Sequence, residues 1–156
     1  MQHVQPRSTT SALVLTAVLI ALATLFTMYT KIPVPGIRGY FNVGDVVIMT
    51  AALLLGRKYG AYIGAIGPAL ADLFLGYAVF VPITFVVKGI EGYLVGTVYN
   101  HKTTTSALVA TIVGGIVIVA GYFIAEYFVF DPGVAIASIL TNAIQAVMSV
   151  IISMIL

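Results

Sequence analysis

Apolar residues gather into six runs, 12–29, 45–55, 61–75, 82–99, 107–130 and 134–156, while polar residues, glycine and proline collect between them. Such runs, punctuated in this way, predict helices. A bilayer core of roughly 30 Å takes about 20 helical residues, so runs 45–55 and 61–75 are short for a full span and are expected to begin inside a cavity. The pattern therefore predicts an all-α integral membrane protein. It has six transmembrane helices, a long outer loop at 30–44 between the first and second, and one membrane-embedded domain over 1–156.

Composition strengthens that picture. Of the 156 residues 61% are hydrophobic and 8% are charged, too few charges to solvate the surface of a water-soluble domain of this size. The lipid bilayer is the expected solvent. Polar residues 1–11 precede a run of spanning length, so the first helix reads as retained rather than as a cleaved signal. If the helices alternate, Arg7, Arg57, Lys58 and Lys102 fall on one side, against Lys31 and Arg38 on the other. The larger cationic cluster belongs in the cytoplasm, which places both termini there.

Several chemistries drop out. Cysteine is absent, and His3 and His101 lie far apart in polar flanks, so neither a thiolate site nor a histidine metal site is expected. No G-x-x-x-x-G-K-[ST] loop is present, which excludes Walker-type ATP binding by this chain. The net charge of +2 is explained by membrane orientation, and no nucleic-acid partner is implied. No Ser/His pair or acidic cluster suits an intramembrane hydrolase or a two-metal transferase, so an enzyme is not expected.

What is left is a set of polar groups in apolar surroundings. A charge within a membrane helix costs roughly 2.5–3.5 kcal/mol on insertion scales, so Asp72, Lys88, Glu91 and Glu126 each demand a reason. Lys88 and Glu91 are three apart, close enough on one helix to neutralise each other. Thr84 lies one turn outward of Lys88, Tyr122 and Glu126 share a face of the fifth helix, and Ser138, Asn142, Gln145 and Ser149 form a stripe on the sixth. Asn142 and Gln145 fall level with Lys88 and Glu126 and are expected to face a ligand.

In the loop, Pro33 and Pro35 stiffen a segment that Gly36 and Gly39 allow to bend, and it carries Arg38, Tyr40, Phe41 and Asn42 as candidate lid residues. With Tyr40, Phe80 and Tyr122 as ring platforms, the whole set suits a flat polar heterocycle. A competing reading has Glu91 or Glu126 as the proton-coupled carboxylate of a self-sufficient secondary transporter. Glycines at 60, 64 and 67 and at 89, 92 and 96 repeat on helical faces, as close helix packing requires.

These features together resemble the substrate-binding S components of energy-coupling factor (ECF) transporters, in the branch of riboflavin, hydroxymethylpyrimidine and pyridoxine carriers. The resemblance spans nearly the whole chain. It rests on A-x-x-x-A at Ala17 and Ala21, YFNVGDVVIMTAALLLG at 40–56, GAIGPALADLFLG at 64–76, KGIEG at 88–92 and N-x-x-Q at Asn142 and Gln145. It implies a multi-pass protein of the bacterial cell membrane that binds a vitamin near the outer face, with Asn142 and Gln145 touching it. It further implies docking of Ala17 and Ala21 on a transmembrane coupling subunit driven by two ATPase subunits, so that ATP is bound by partners and this chain holds no cofactor. Hydroxymethylpyrimidine is the preferred cargo, because a small aminopyrimidine suits paired amide and carboxylate groups; pyridoxine and riboflavin come next.

Overall fold

A computed structural model describes residues 9–33, 40–99 and 103–156. Its helices are α1 (Thr9–Tyr29), α2 (Gly44–Leu55), α3 (Arg57–Phe74), α4 (Phe80–Val98), α5 (Thr104–Val129) and α6 (Pro132–Ile155). Two short strands, β1 (Ile32–Pro33) and β2 (Tyr40–Phe41), lie in the expected loop and pair antiparallel, Ile32 with Phe41 and Pro33 with Tyr40. The long loop is thus a hairpin whose two legs are fixed to each other.

The six expected helices are present, with starts earlier than the apolar runs suggested. Polar residues cause the difference. Thr103 caps α5 by accepting a hydrogen bond from the Ser106 amide at 3.1 Å, and Asp131 caps α6 by accepting from the Val134 amide at 3.0 Å, with Pro132 in the first turn. Gly56 at φ 87° lets α2 reverse directly into α3, so Arg57 and Lys58 open α3 instead of forming a loop. The third helix is therefore 18 residues long and is not short. The second is: its 12 residues span only about 18 Å. It starts inside the protein, where Gly44 and Asp45 are buried.

By length and composition, four of the described helices, α1, α4, α5 and α6, are apolar enough to cross a membrane. Their outward faces carry exposed Leu, Ile, Val and Phe, the side chains that lipid solvates. Helices α3 and α4 form the most extensive interface. A Cβ at Gly92 would collide with the Gly60 carbonyl, and one at Gly64 with that of Lys88, so the two backbones touch. That contact fixes the height and rotation of α4, and with it the direction of Lys88.

Candidate ligand-binding site

Asp45 is the second residue of α2, where the positive end of the helix dipole favours a carboxylate. Its side chain is fully buried and forms an ion pair with Lys88 of α4 through Oδ1. Its other oxygen accepts a hydrogen bond from Gln145 Nε2 of α6 at 2.7 Å. Lys88 also stands 3.5 Å from Glu91 Oε2 and 5.5 Å from the ring centre of Tyr122. Three helices that meet nowhere in sequence are thereby joined at one buried charge pair. The pairing expected within α4 exists, but it is the longer of the two ion pairs that Lys88 makes among the described residues.

Gln145 uses both ends of its amide. While Nε2 donates to Asp45, Oε1 accepts from the Asn42 backbone amide at 3.0 Å, which ties the return leg of the hairpin to α6. Asn42 turns its own Oδ1 back to accept from the Gly44 amide at 2.8 Å, and Thr30 Oγ1 accepts from the Val43 amide at 3.0 Å. The segment between β2 and α2 is held by side chains at each step.

Above this network lies a small polar cavity of about 40 Å³ at the loop end of the bundle, opposite the described chain ends. Asn42, Thr84, Lys88, Tyr122, Glu126, Asn142 and Gln145, all expected from sequence, line it. Thr84 Oγ1 and Tyr122 Oη share a hydrogen bond at 3.0 Å, and Ser138 Oγ donates to Glu126 Oε2. Asn142 is different: its Nδ2 is buried and has no hydrogen-bond partner among the described residues. The same holds for the hydroxyl of Thr27 on α1, which also lines the cavity. Buried polar atoms are satisfied in most proteins; of the unmet ones among the described residues, those of Thr27 and Asn142 belong to residues that line this cavity, whereas those of Thr50, Glu91 and Ser149 do not.

Glu91 does not line the cavity; it lies one turn deeper than Lys88, fully buried. Arg38 lies outside the described residues, and Tyr40 is described only through its backbone pairing in β2. Phe80 and Asp72 do line the cavity. Sequence reasoning missed Thr27 and Thr141 of the lining and Asp45 of the network beneath it, whereas Ser138 belonged to the polar stripe expected on the sixth helix. Among the described residues, no group of His, Cys, Asp and Glu is arranged to hold a metal ion. Ala17 and Ala21 are exposed on α1, on the side away from Ala23, which packs against Gly67 of α3. A larger apolar groove of about 600 Å³ runs between α5 and α6, lined by residues such as Ile116, Phe123 and Val147. With no polar group to orient a vitamin, it suits a lipid chain.

Residues 7–156 match the family model described as the ECF-type riboflavin transporter, S component. An uncharacterized protein of Pyrococcus woesei is 42% identical over 132 residues, covering 83% of this chain and 87% of its own. The thiamine precursor transporter HmpT of Lactococcus lactis is 32% identical over 143 residues, covering 90% of this chain and 80% of its own. Among solved structures, the S component of a bacterial ECF transporter superposes with a TM-score of 0.73 at 20% identity, covering 95% of this chain and 94% of that one. The S component for biotin from an ECF-type ABC transporter gives 0.61 at 21% identity, with coverage of 94% and 93%.

Proposed function

The chain belongs to the S-component family of ECF transporters, a transport family and not one of enzymes, and from that premise we propose that it captures hydroxymethylpyrimidine or a close one-ring vitamin precursor. The observation that carries this reading is the buried amide nitrogen of Asn142, a residue of the polar cavity, which has no hydrogen-bond partner among the described residues. A ring nitrogen would accept from it, and an exocyclic amine would donate to Glu126 across the same cavity. Cavity size also favours a small cargo. At about 40 Å³ the cavity is small, and a single ring asks the least outward movement of the lining side chains. The thiamine-precursor relative points the same way. The riboflavin description of the family model supports riboflavin as the second reading.

Capture takes place at the outer membrane face, with both termini cytoplasmic. In support, Arg57 and Lys58 sit at the α2–α3 turn, at the end of the bundle away from the cavity. The hairpin acts as the lid, fastened through Gln145. Delivery inward uses a transmembrane coupling subunit and two ATPases that bind the ATP, with Ala17 and Ala21 on the open face of α1 as the docking pair. Calorimetric titration of the purified chain with hydroxymethylpyrimidine, pyridoxine and riboflavin tests the reading. The pyrimidine should bind tightest, and Asn142→Ala should weaken it; binding of riboflavin alone would replace the first reading with the second.

A further inference from the structure

We propose that the pocket selects its cargo by charge, admitting neutral or protonated bases and excluding phosphorylated or otherwise anionic forms of the same molecule. The proposal rests on the ligand-binding reading above and names what that site rejects. Among the described residues that line the cavity, Lys88 is the sole cation, and its charge is already committed. Asp45 cancels it through a buried ion pair, and Glu91 faces it at 3.5 Å. Lys31, the nearest described cation at the loop end, stands 5.1 Å from the ring centre of Tyr77 and does not line the cavity.

Two further carboxyl groups, Asp72 and Glu126, form part of the cavity wall, and both are almost completely buried. With the Lys88–Asp45 pair intact, Glu126, which accepts from Ser138, contributes either nothing or one negative charge. Among the described lining residues, protonation of Glu126 therefore changes how negative the wall is without making it positive. A phosphate ester brought into this space would meet carboxyl oxygens at low dielectric, with no guanidinium or uncommitted ammonium among the described lining residues to receive it. An amine or a protonated ring nitrogen meets the opposite situation, because Glu126 accepts one bond from Ser138 and keeps acceptor capacity for a ligand. The amide donor of Asn142 then suits an uncharged ring nitrogen or hydroxyl, for which no positive charge is needed.

The test is calorimetry on the full chain in detergent at neutral pH, using parent and phosphate pairs: hydroxymethylpyrimidine with its phosphate ester, and riboflavin with riboflavin 5′-phosphate. A neutral acetate ester of the pyrimidine alcohol controls for bulk. Whichever parent binds, its phosphate should bind on the order of 100-fold more weakly, while the acetate ester keeps most of the affinity. Asp45→Asn removes one of the two carboxylates beside Lys88, leaving Glu91 as its counter-charge, and this loss of one negative charge should narrow the gap, as should Glu126→Gln. A phosphate that binds within about tenfold of its parent overturns the proposal, and so does exclusion of the neutral ester to the same degree. A gap unchanged in both variants overturns the assignment to these carboxyl groups. Failure of the pyrimidine with a riboflavin pair that still discriminates would reject the cargo reading and leave the charge rule standing; failure of both parents rejects both.

Discussion

Replacing Lys88 with methionine should destabilise the chain more than any other single change in the site. Lys88 is 1% exposed and Asp45 is fully buried, so the substitution leaves the Asp45 carboxylate without its cation in a site that water does not reach. Removing one partner of a buried pair costs about 3–5 kcal/mol. Asp45→Leu should cost less, toward about 3 kcal/mol, because Glu91 at 3.5 Å is placed to take over the ammonium. The bond from Gln145 is lost as well, worth about 1 kcal/mol. Combining Asp45→Leu with Lys88→Met removes both charges together and should recover about 2–3 kcal/mol relative to the sum of the single changes. Reversible unfolding in mixed detergent micelles, followed by circular dichroism, measures all three. Additive costs, or single variants within about 1 kcal/mol of the parent, would refute the reasoning that this pair holds α2 to α4.

Asn142→Ala should weaken ligand binding by roughly 10- to 100-fold and leave unfolding unchanged, since the amide nitrogen it removes bonds to nothing among the described residues. Gln145→Ala, by contrast, should lose both affinity and stability in titration and unfolding, because it cuts the links to Asp45 and Asn42. Gly92→Val should abolish accumulation of folded protein, seen as loss of the monodisperse peak in size-exclusion chromatography, because the new Cβ would overlap the Gly60 carbonyl. Bulky replacements of exposed Ala17 or Ala21 should stop uptake in cells while calorimetric binding survives; loss of binding would contradict a docking role.

Most of the helical framework was legible because lipid-solvated helices need long apolar runs, and runs 12–29, 82–99, 107–130 and 134–156 have the length. The start of α3 was not, because Gly56, Arg57 and Lys58 read as a polar turn, whereas only Gly56 makes the turn and the cations already belong to the helix. Glycine spacing indicated close helix packing but not its partners: Gly60, Gly64 and Gly92 lie between α3 and α4, whereas Gly67 packs on Ala23 of α1. Asp45 escaped notice because it stands at the border between loop and helix, where an acid is ordinary. Its partners Lys88 and Gln145 lie 43 and 100 residues away, a distance over which helical periodicity carries no information. Glu91 lies one turn deeper than Lys88 and outside the lining, since neighbours at i and i+3 on one helix need not share a cavity. Asn142 and Gln145 were equally conspicuous amides in an apolar helix, yet one is spent on the fold and the other is open.

The proposed function requires that the cavity around Asn142 hold a small nitrogen heterocycle. The most direct measurement is to purify the chain alone in detergent from cells, denature it, and identify the released small molecules by mass spectrometry, with Asn142→Ala purified in parallel. The account predicts a pyrimidine of the hydroxymethyl type at near-stoichiometric level from the parent and a depleted level from the variant. A preparation that releases no vitamin-like molecule and binds none on titration, or one whose cargo is retained equally by Asn142→Ala, would contradict it.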